Sequence, residues 1–237
     1  MQFKQFLKRT STASIFTLAS LAAHATQGTW DSTATPENGF NGLTSTWATT
    51  GSAALYAEWN WFTDDSGTTG IQDFTPDVGS AGVSLSHVYE TSGAAFLTGG
   101  GNIYSFAAPV SITSVLGDAS GVSTGTRDVA LKIAALGTLP SPLATLNGVN
   151  ATIVELYSGD SGSGFGGVEK EYLWLWTDVA SAPNYTLKFA ASESSLSLDQ
   201  LAIYASPAAA VPEPGSGALM LVGLSMAGVM SRRRRAS

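Results

Sequence analysis

Cysteine is absent from the 237 residues, and charged residues make up only 12% of them. Without thiols the chain has no disulfide framework, no Cys-ligated zinc or iron–sulfur centre and no thiol nucleophile. Basic residues are scarcer than acidic ones, eleven against eighteen, for a formal net charge of -7. That balance lacks the basic patch or stripe of a nucleic-acid binder, so no nucleic-acid partner is expected. At 44% hydrophobic the chain is also unlike a disordered acidic tail, and its length suits one domain with additions.

The few basic residues are concentrated at the ends. Lys4, Lys8 and Arg9 open the chain and Arg232 to Arg235 nearly close it, whereas the body between Thr26 and Ala210 holds four basic residues against seventeen acidic ones. Ends and middle are therefore separate objects. Lys4 to Arg9 precede an apolar stretch, Ile15 to Ala23, that ends in Ala23-His24-Ala25. This order predicts a signal peptide over residues 1–25, handled by the Sec machinery and cut by signal peptidase between Ala25 and Thr26. Cleavage leaves His87 as the one histidine of the mature chain.

At the other end a Pro/Ala linker, 206–210, leads to Val211-Pro212-Glu213-Pro214, then to an uncharged stretch, Gly215 to Ser231, closed by Arg232, Arg233, Arg234 and Arg235. As a helix, residues 215–231 would span roughly 26 Å, near the short limit for a bilayer core. The arginines would stay cytoplasmic by the positive-inside rule. Both prolines hold Val211 to Glu213 extended, the form in which a protease takes a peptide bond.

This order of PEP triplet, short Gly-rich apolar helix and arginine cluster over residues 211–237 resembles the PEP-CTERM sorting signal of Gram-negative bacteria that make extracellular polysaccharide. The resemblance implies recognition by exosortase, a membrane-embedded cysteine protease. It also implies transient anchoring in the inner membrane, then delivery to the envelope, surface or biofilm matrix.

In the body, short apolar runs alternate with polar residues and are split by Gly, Ser, Thr, Asn and Pro, with no sustained 3.6-residue period. Leu55, Ala57, Trp59 and Trp61 read as one strand face, with Tyr56, Glu58, Asn60 and Phe62 on the other. Further strands are expected at Val83 to Tyr89, Ala95 to Thr98, Asn102 to Phe106, Val110 to Ser114, Val129 to Ala135, Thr152 to Tyr157, Tyr172 to Trp176, Tyr185 to Phe189 and Ser195 to Tyr204. Gly99-Gly100-Gly101 marks a hairpin turn. The pattern predicts an all-β fold, an antiparallel jelly-roll-like sandwich over residues 26–205, followed by one C-terminal transmembrane helix. More loosely, the body resembles the β-sandwich ectodomains that precede this sorting signal, which implies architecture and no catalytic residues.

Candidate chemistry is sparse. Gly159-Asp160-Ser161-Gly162 resembles a serine-protease nucleophile turn, with His87 and Asp128 ahead of it, but the residues around His87 do not match that family's histidine motif. Gly121-Val122-Ser123-Thr124-Gly125 fits a hydrolase elbow, yet a strand pattern follows where the elbow needs a helix. Asp64, Asp65, Asp73 and Asp77 are calcium candidates by residue type, outweighed by a solvated loop because no calcium-loop spacing is present. Glu58, Glu90, Glu155, Glu169 and Glu171 offer carboxylates without a spacing that selects a glycosidase pair. Trp59, Trp61, Trp174 and Trp176 are candidate sugar contacts, set against the alternative that such rings fill a core. No catalytic residue, metal or cofactor is assigned. The expected function is a non-enzymatic structural or adhesive component of the cell surface or matrix, associated with exopolysaccharide. A polysaccharide-binding module is the alternative and a secreted hydrolase a distant third.

Overall fold

The computed structural model describes residues 54–208, apart from 68, 81, 82, 84, 120–123 and 161–167. The cleavage site Ala25–Thr26, Trp30, Trp47, Ser161, the sorting motif Val211 to Pro214, the helix expected at 215–231 and the arginine cluster lie outside the described residues. Everything described is strand or connection, with no helix. The strands are β1 (Leu55–Trp59), β2 (Gln72–Asp73), β3 (Val78–Gly79), β4 (His87–Glu90), β5 (Phe96–Leu97), β6 (Ile103–Tyr104) and β7 (Ser111–Gly117). They continue with β8 (Thr126–Gly137), β9 (Leu143–Leu146), β10 (Val149–Thr152), β11 (Val154–Asp160), β12 (Val168–Ala180), β13 (Asn184–Ala190) and β14 (Leu196–Pro207).

All pairings are antiparallel and fall into two sheets. The larger runs β11-β12-β8-β14-β1-β3, with β6 also on β14 and β5 on β6; the smaller runs β10-β9-β13-β7-β4-β2. Within these orders, β1-β14-β8-β12 and β7-β13-β9-β10 are the two four-stranded halves of a jelly roll, with β2 to β6 inserted between its first two strands. One core lies between the sheets. Leu131, Ile133, Trp174, Trp176, Leu201 and Ile203 from the larger sheet meet Ile112, Leu116, Tyr185, Leu187 and Phe189 from the smaller. Trp174 stacks on Phe189 with ring centroids 5.5 Å apart. Burial of each such side chain is worth roughly 1.5–3 kcal/mol.

The outer face of the larger sheet carries a second buried cluster, Tyr56, Ala130, Leu173, Ala202 and Tyr204. Beside it Lys132 and Glu171 form a fully buried ion pair at 3.1 Å. β1 is consequently buried on both faces, which explains why its sequence, Leu-Tyr-Ala-Glu-Trp, is not a simple inside–outside alternation.

Several expectations need correction. β1 ends at Trp59 because the Asp77 carboxylate accepts the backbone N–H groups of Asn60 and Trp61 and turns the chain outward. Trp61 therefore does not share a face with Trp59: it is 53% exposed, and Phe62 is buried in its place. The expected strand over Thr152 to Tyr157 is two strands in different sheets, β10 and β11, with Ile153 between them. Val83 to Tyr89 narrows to β4, and β14 continues through Pro207, so residues 206 and 207 of the expected linker are strand.

Candidate functional site

The closing strand β14 organises the site. One of its edges pairs with β8 throughout, while the other is shared end to end: β6 takes Ser197 and Leu198, and β1 takes Leu201 to Ala205. Where the partner changes, the register against β8 slips between Leu198 and Gln200, so Asp199 is an extra residue at a β-bulge. Bulges bend a strand and re-aim its side chains. Leu198 and Leu201 stay in the core, and Asp199 joins Ser197 on the outer face.

The β5–β6 hairpin completes the cluster. Ile103 is buried in the core and Leu97 packs against it, so their neighbours Phe96, Asn102 and Tyr104 project from the other face of the hairpin, the outer side of the sheet. The turn requires Gly101 at φ +79°, where a Cβ would run into the ring of Trp61. Thr98 secures it by accepting the N–H of Asn102 at 3.1 Å through its hydroxyl.

Asn102 donates through Nδ2 to the Ser197 hydroxyl at 3.2 Å and to Oδ1 of Asp199. Ser197 Oγ donates to the same Oδ1 at 3.1 Å. Beside them Gln200 Nε2 donates to Asn60 Oδ1 at 3.3 Å. Burial pushes the Asp199 carboxyl up to about 7, with a further upward push from the charge of Glu169 and opposition from its two hydrogen bonds. Glu169, on β12, is likewise raised by burial and then by Glu171.

Next to this polar row three rings pack on one another. Phe96 meets Tyr104 edge-on at 5.8 Å, Tyr104 meets Phe106 edge-on at 4.6 Å, and Phe96 stacks with Phe106 at 5.6 Å. Phe106 is 71% exposed and Phe96 42%. Large exposed rings grouped in this way are a surface feature that calls for a partner.

The residues singled out from the sequence fall elsewhere. Trp59, Trp174 and Trp176 are buried, with Trp176 donating from Nε1 to the Val149 carbonyl at 2.9 Å, so their faces are closed to a sugar; of the four, Trp61 alone reaches solvent. The acidic loop uses its carboxylates on its own backbone. Asp64 accepts from Ser66, Asp65 from Phe74, and Asp73 from Thr63 and Thr75. No group of three or more metal-ligating side chains is assembled among the described residues. His87 and Asp128 belong to different sheets. His87 lines a shallow depression of about 540 Å³ with Phe74, Leu85, Val115 and Asn184, while Asp128 accepts the N–H of Asp178. Among the glutamates, Glu90 accepts from the N–H groups of Ser92 and Gly93, Glu155 pairs with Lys170 at 2.8 Å, and Glu171 pairs with Lys132.

The described residues thus define an antiparallel all-β domain with an aromatic and polar patch at one edge of its larger sheet. Residues 210–235 of the same chain match the family described as the PEP-CTERM protein-sorting motif. The match supports an exported protein that exosortase processes after transient anchoring in the membrane. Comparison with curated proteins and with solved structures gives no match.

Proposed function

We propose that this chain is a non-enzymatic structural or adhesive component of the cell envelope or extracellular matrix, associated with exopolysaccharide after release by exosortase. The observation that carries the reading is the sorting match at residues 210–235, on a chain whose N-terminus reads as an export signal. The placement of the candidate chemistry supports the non-enzymatic part: His87 and Asp128 are in different sheets, and four of the five sequence-selected glutamates are buried, paired or capping backbone.

Glu213 and its flanking prolines are the recognition element in this reading, because prolines on both sides are expected to present its charge on an extended segment. Glu213→Ala is expected to leave the full-length chain in the membrane fraction, where the unaltered chain is shortened and released. Gel mobility and fractionation of a chain tagged in its body read both effects. Normal shortening and release of the variant would refute the assignment. Release of reducing ends from a neutral glucan by the processed protein would refute the non-enzymatic reading.

A further inference from the structure

We propose that the outer patch formed by Phe96, Tyr104, Phe106, Asn102, Ser197 and Asp199 binds a neutral polysaccharide chain, its rings stacking on sugar faces and its polar row bonding sugar hydroxyls. This deepens the association with exopolysaccharide proposed above by giving it a site and a class of glycan.

Three observations lead there. The first is the juxtaposition itself: two well-exposed aromatic rings stand beside an ordered amide, hydroxyl and carboxyl on one sheet face. A sugar presents the matching surface, an apolar C–H face bordered by hydroxyl donors and acceptors. Rings alone would equally fit an apolar peptide, but a peptide side chain gains nothing from the adjoining polar row.

The second is preorganisation. Asn102 and Ser197 both direct donors at Oδ1 of Asp199, and among the described residues no hydrogen bond reaches Oδ2. The carboxyl is therefore held in one orientation with Oδ2 left to bond a ligand hydroxyl, as donor below about pH 7 and as acceptor above it. Tyr104 packs edge-on against both phenylalanines, which stack on each other, and Ile103 anchors the same hairpin in the core. The side chains that would touch the glycan need little further ordering.

The third is charge. The described basic residues are Arg127, Lys132, Lys170 and Lys188. Arg127 and Lys132 are buried against Asp118 and Glu171, Lys170 is engaged by Glu155, and Lys188 lies on β13 in the other sheet. The face instead carries Asp199 and Glu169. Above about pH 7, where Asp199 is ionised, a uronate or sulfated chain would meet negative charge with no cation among the described residues to offset it, so the site selects a glycan without acidic groups.

The test uses the processed, exported protein at pH 8, where Asp199 is ionised, and calorimetric titration with three hexasaccharide probes: β-1,4-linked glucose, β-1,3-linked glucose and a hexauronate. Saturable binding of at least one glucan probe, with the hexauronate weaker by about tenfold or more, is expected. Phe106→Ala, at a solvent-exposed position, is expected to weaken glucan binding by about tenfold through loss of one stacking face, with an unchanged melting temperature. Asn102→Ala removes a donor from the patch and is expected to weaken it similarly. Absence of saturable glucan binding, equal binding of the hexauronate, or unchanged affinity of Phe106→Ala would each overturn the proposal. Retention of Phe106→Ala in the producer's matrix distinguishes the two readings: loss of glucan affinity with matrix retention preserved would leave the surface role standing on other contacts.

Discussion

Asp199→Asn should make the protein insensitive to a pH change that weakens the unaltered chain. Burial raises the Asp199 carboxyl from 3.8 to about 7. The native state therefore holds its proton through a pH range in which the unfolded chain has already lost it. The unfolded state binds fewer protons there, so stability falls as pH rises from about 4 to about 7 and is level above that, the reverse of a salt-bridged aspartate. Three units at about 1.36 kcal/mol each set an upper limit near 4 kcal/mol. Solvent reaches the half-buried group, and screening reduces the expected effect to about 1–2 kcal/mol. Asparagine keeps the shape and the acceptor for Ser197 and Asn102 but carries no charge. In urea unfolding of the processed protein, the two chains should match near pH 4, and the variant should be more stable by about 1–2 kcal/mol at pH 8. Asp73, also raised by burial, contributes the same slope to both proteins, whereas Glu169 repels Asp199, so the difference reads Asp199 together with its interaction with Glu169. A gap that is constant with pH, or one that widens toward acid, would refute the burial argument.

Two further substitutions test the packing. Lys132→Met should cost about 3–5 kcal/mol by leaving Glu171 charged and buried, and Lys132→Met with Glu171→Leu should recover most of the loss; a double-mutant cycle in urea measures the coupling. Trp174→Ala should cost about 3–5 kcal/mol because the ring fills the space between the sheets against Phe189, whereas Trp61→Ala, at the surface, should stay within about 1 kcal/mol, as thermal unfolding of the two variants would show.

The fold class was legible because both sheets bury one continuous core, which imposes a period of two on most strands. Val129, Leu131, Ile133 and Ala135 face inward on β8 as their alternation requires. Alternation failed where a local interaction broke the strand. The Asp77 carboxylate, sixteen or more residues away, draws Asn60 and Trp61 out of β1, and no local pattern announces that contact. The bulge on β14 did leave a trace: Leu196 and Leu198 are two apart, Leu201 and Ile203 are two apart, and the three-residue step between the pairs contains Asp199. A skipped beat in an otherwise regular apolar period is the signature of an inserted residue. The sorting signal was legible for a different reason. The motif is matched over residues 210–235 as a run of neighbouring residues, so spacing along the sequence is enough to reveal it and no folded geometry is needed.

The aromatic patch could not be read in the same way, since it is an accident of neither composition nor spacing. Phe96, Asn102, Tyr104 and Phe106 come from the segment inserted between the first two strands of the jelly roll, and Ser197 and Asp199 come from its last. Asn102 and Asp199 are 97 positions apart and meet because β1 is too short to cover the whole edge of β14, leaving its beginning for β6. The attachment divides labour within two adjacent residues: Ile103 faces the core and fixes the hairpin, while Tyr104 faces outward and shapes the patch. Strand geometry separates these two roles because consecutive side chains point to opposite sides. Substitutions at 96, 102, 104 and 106 can therefore alter what the surface holds with little effect on the core, whereas a change at 103 would undo both.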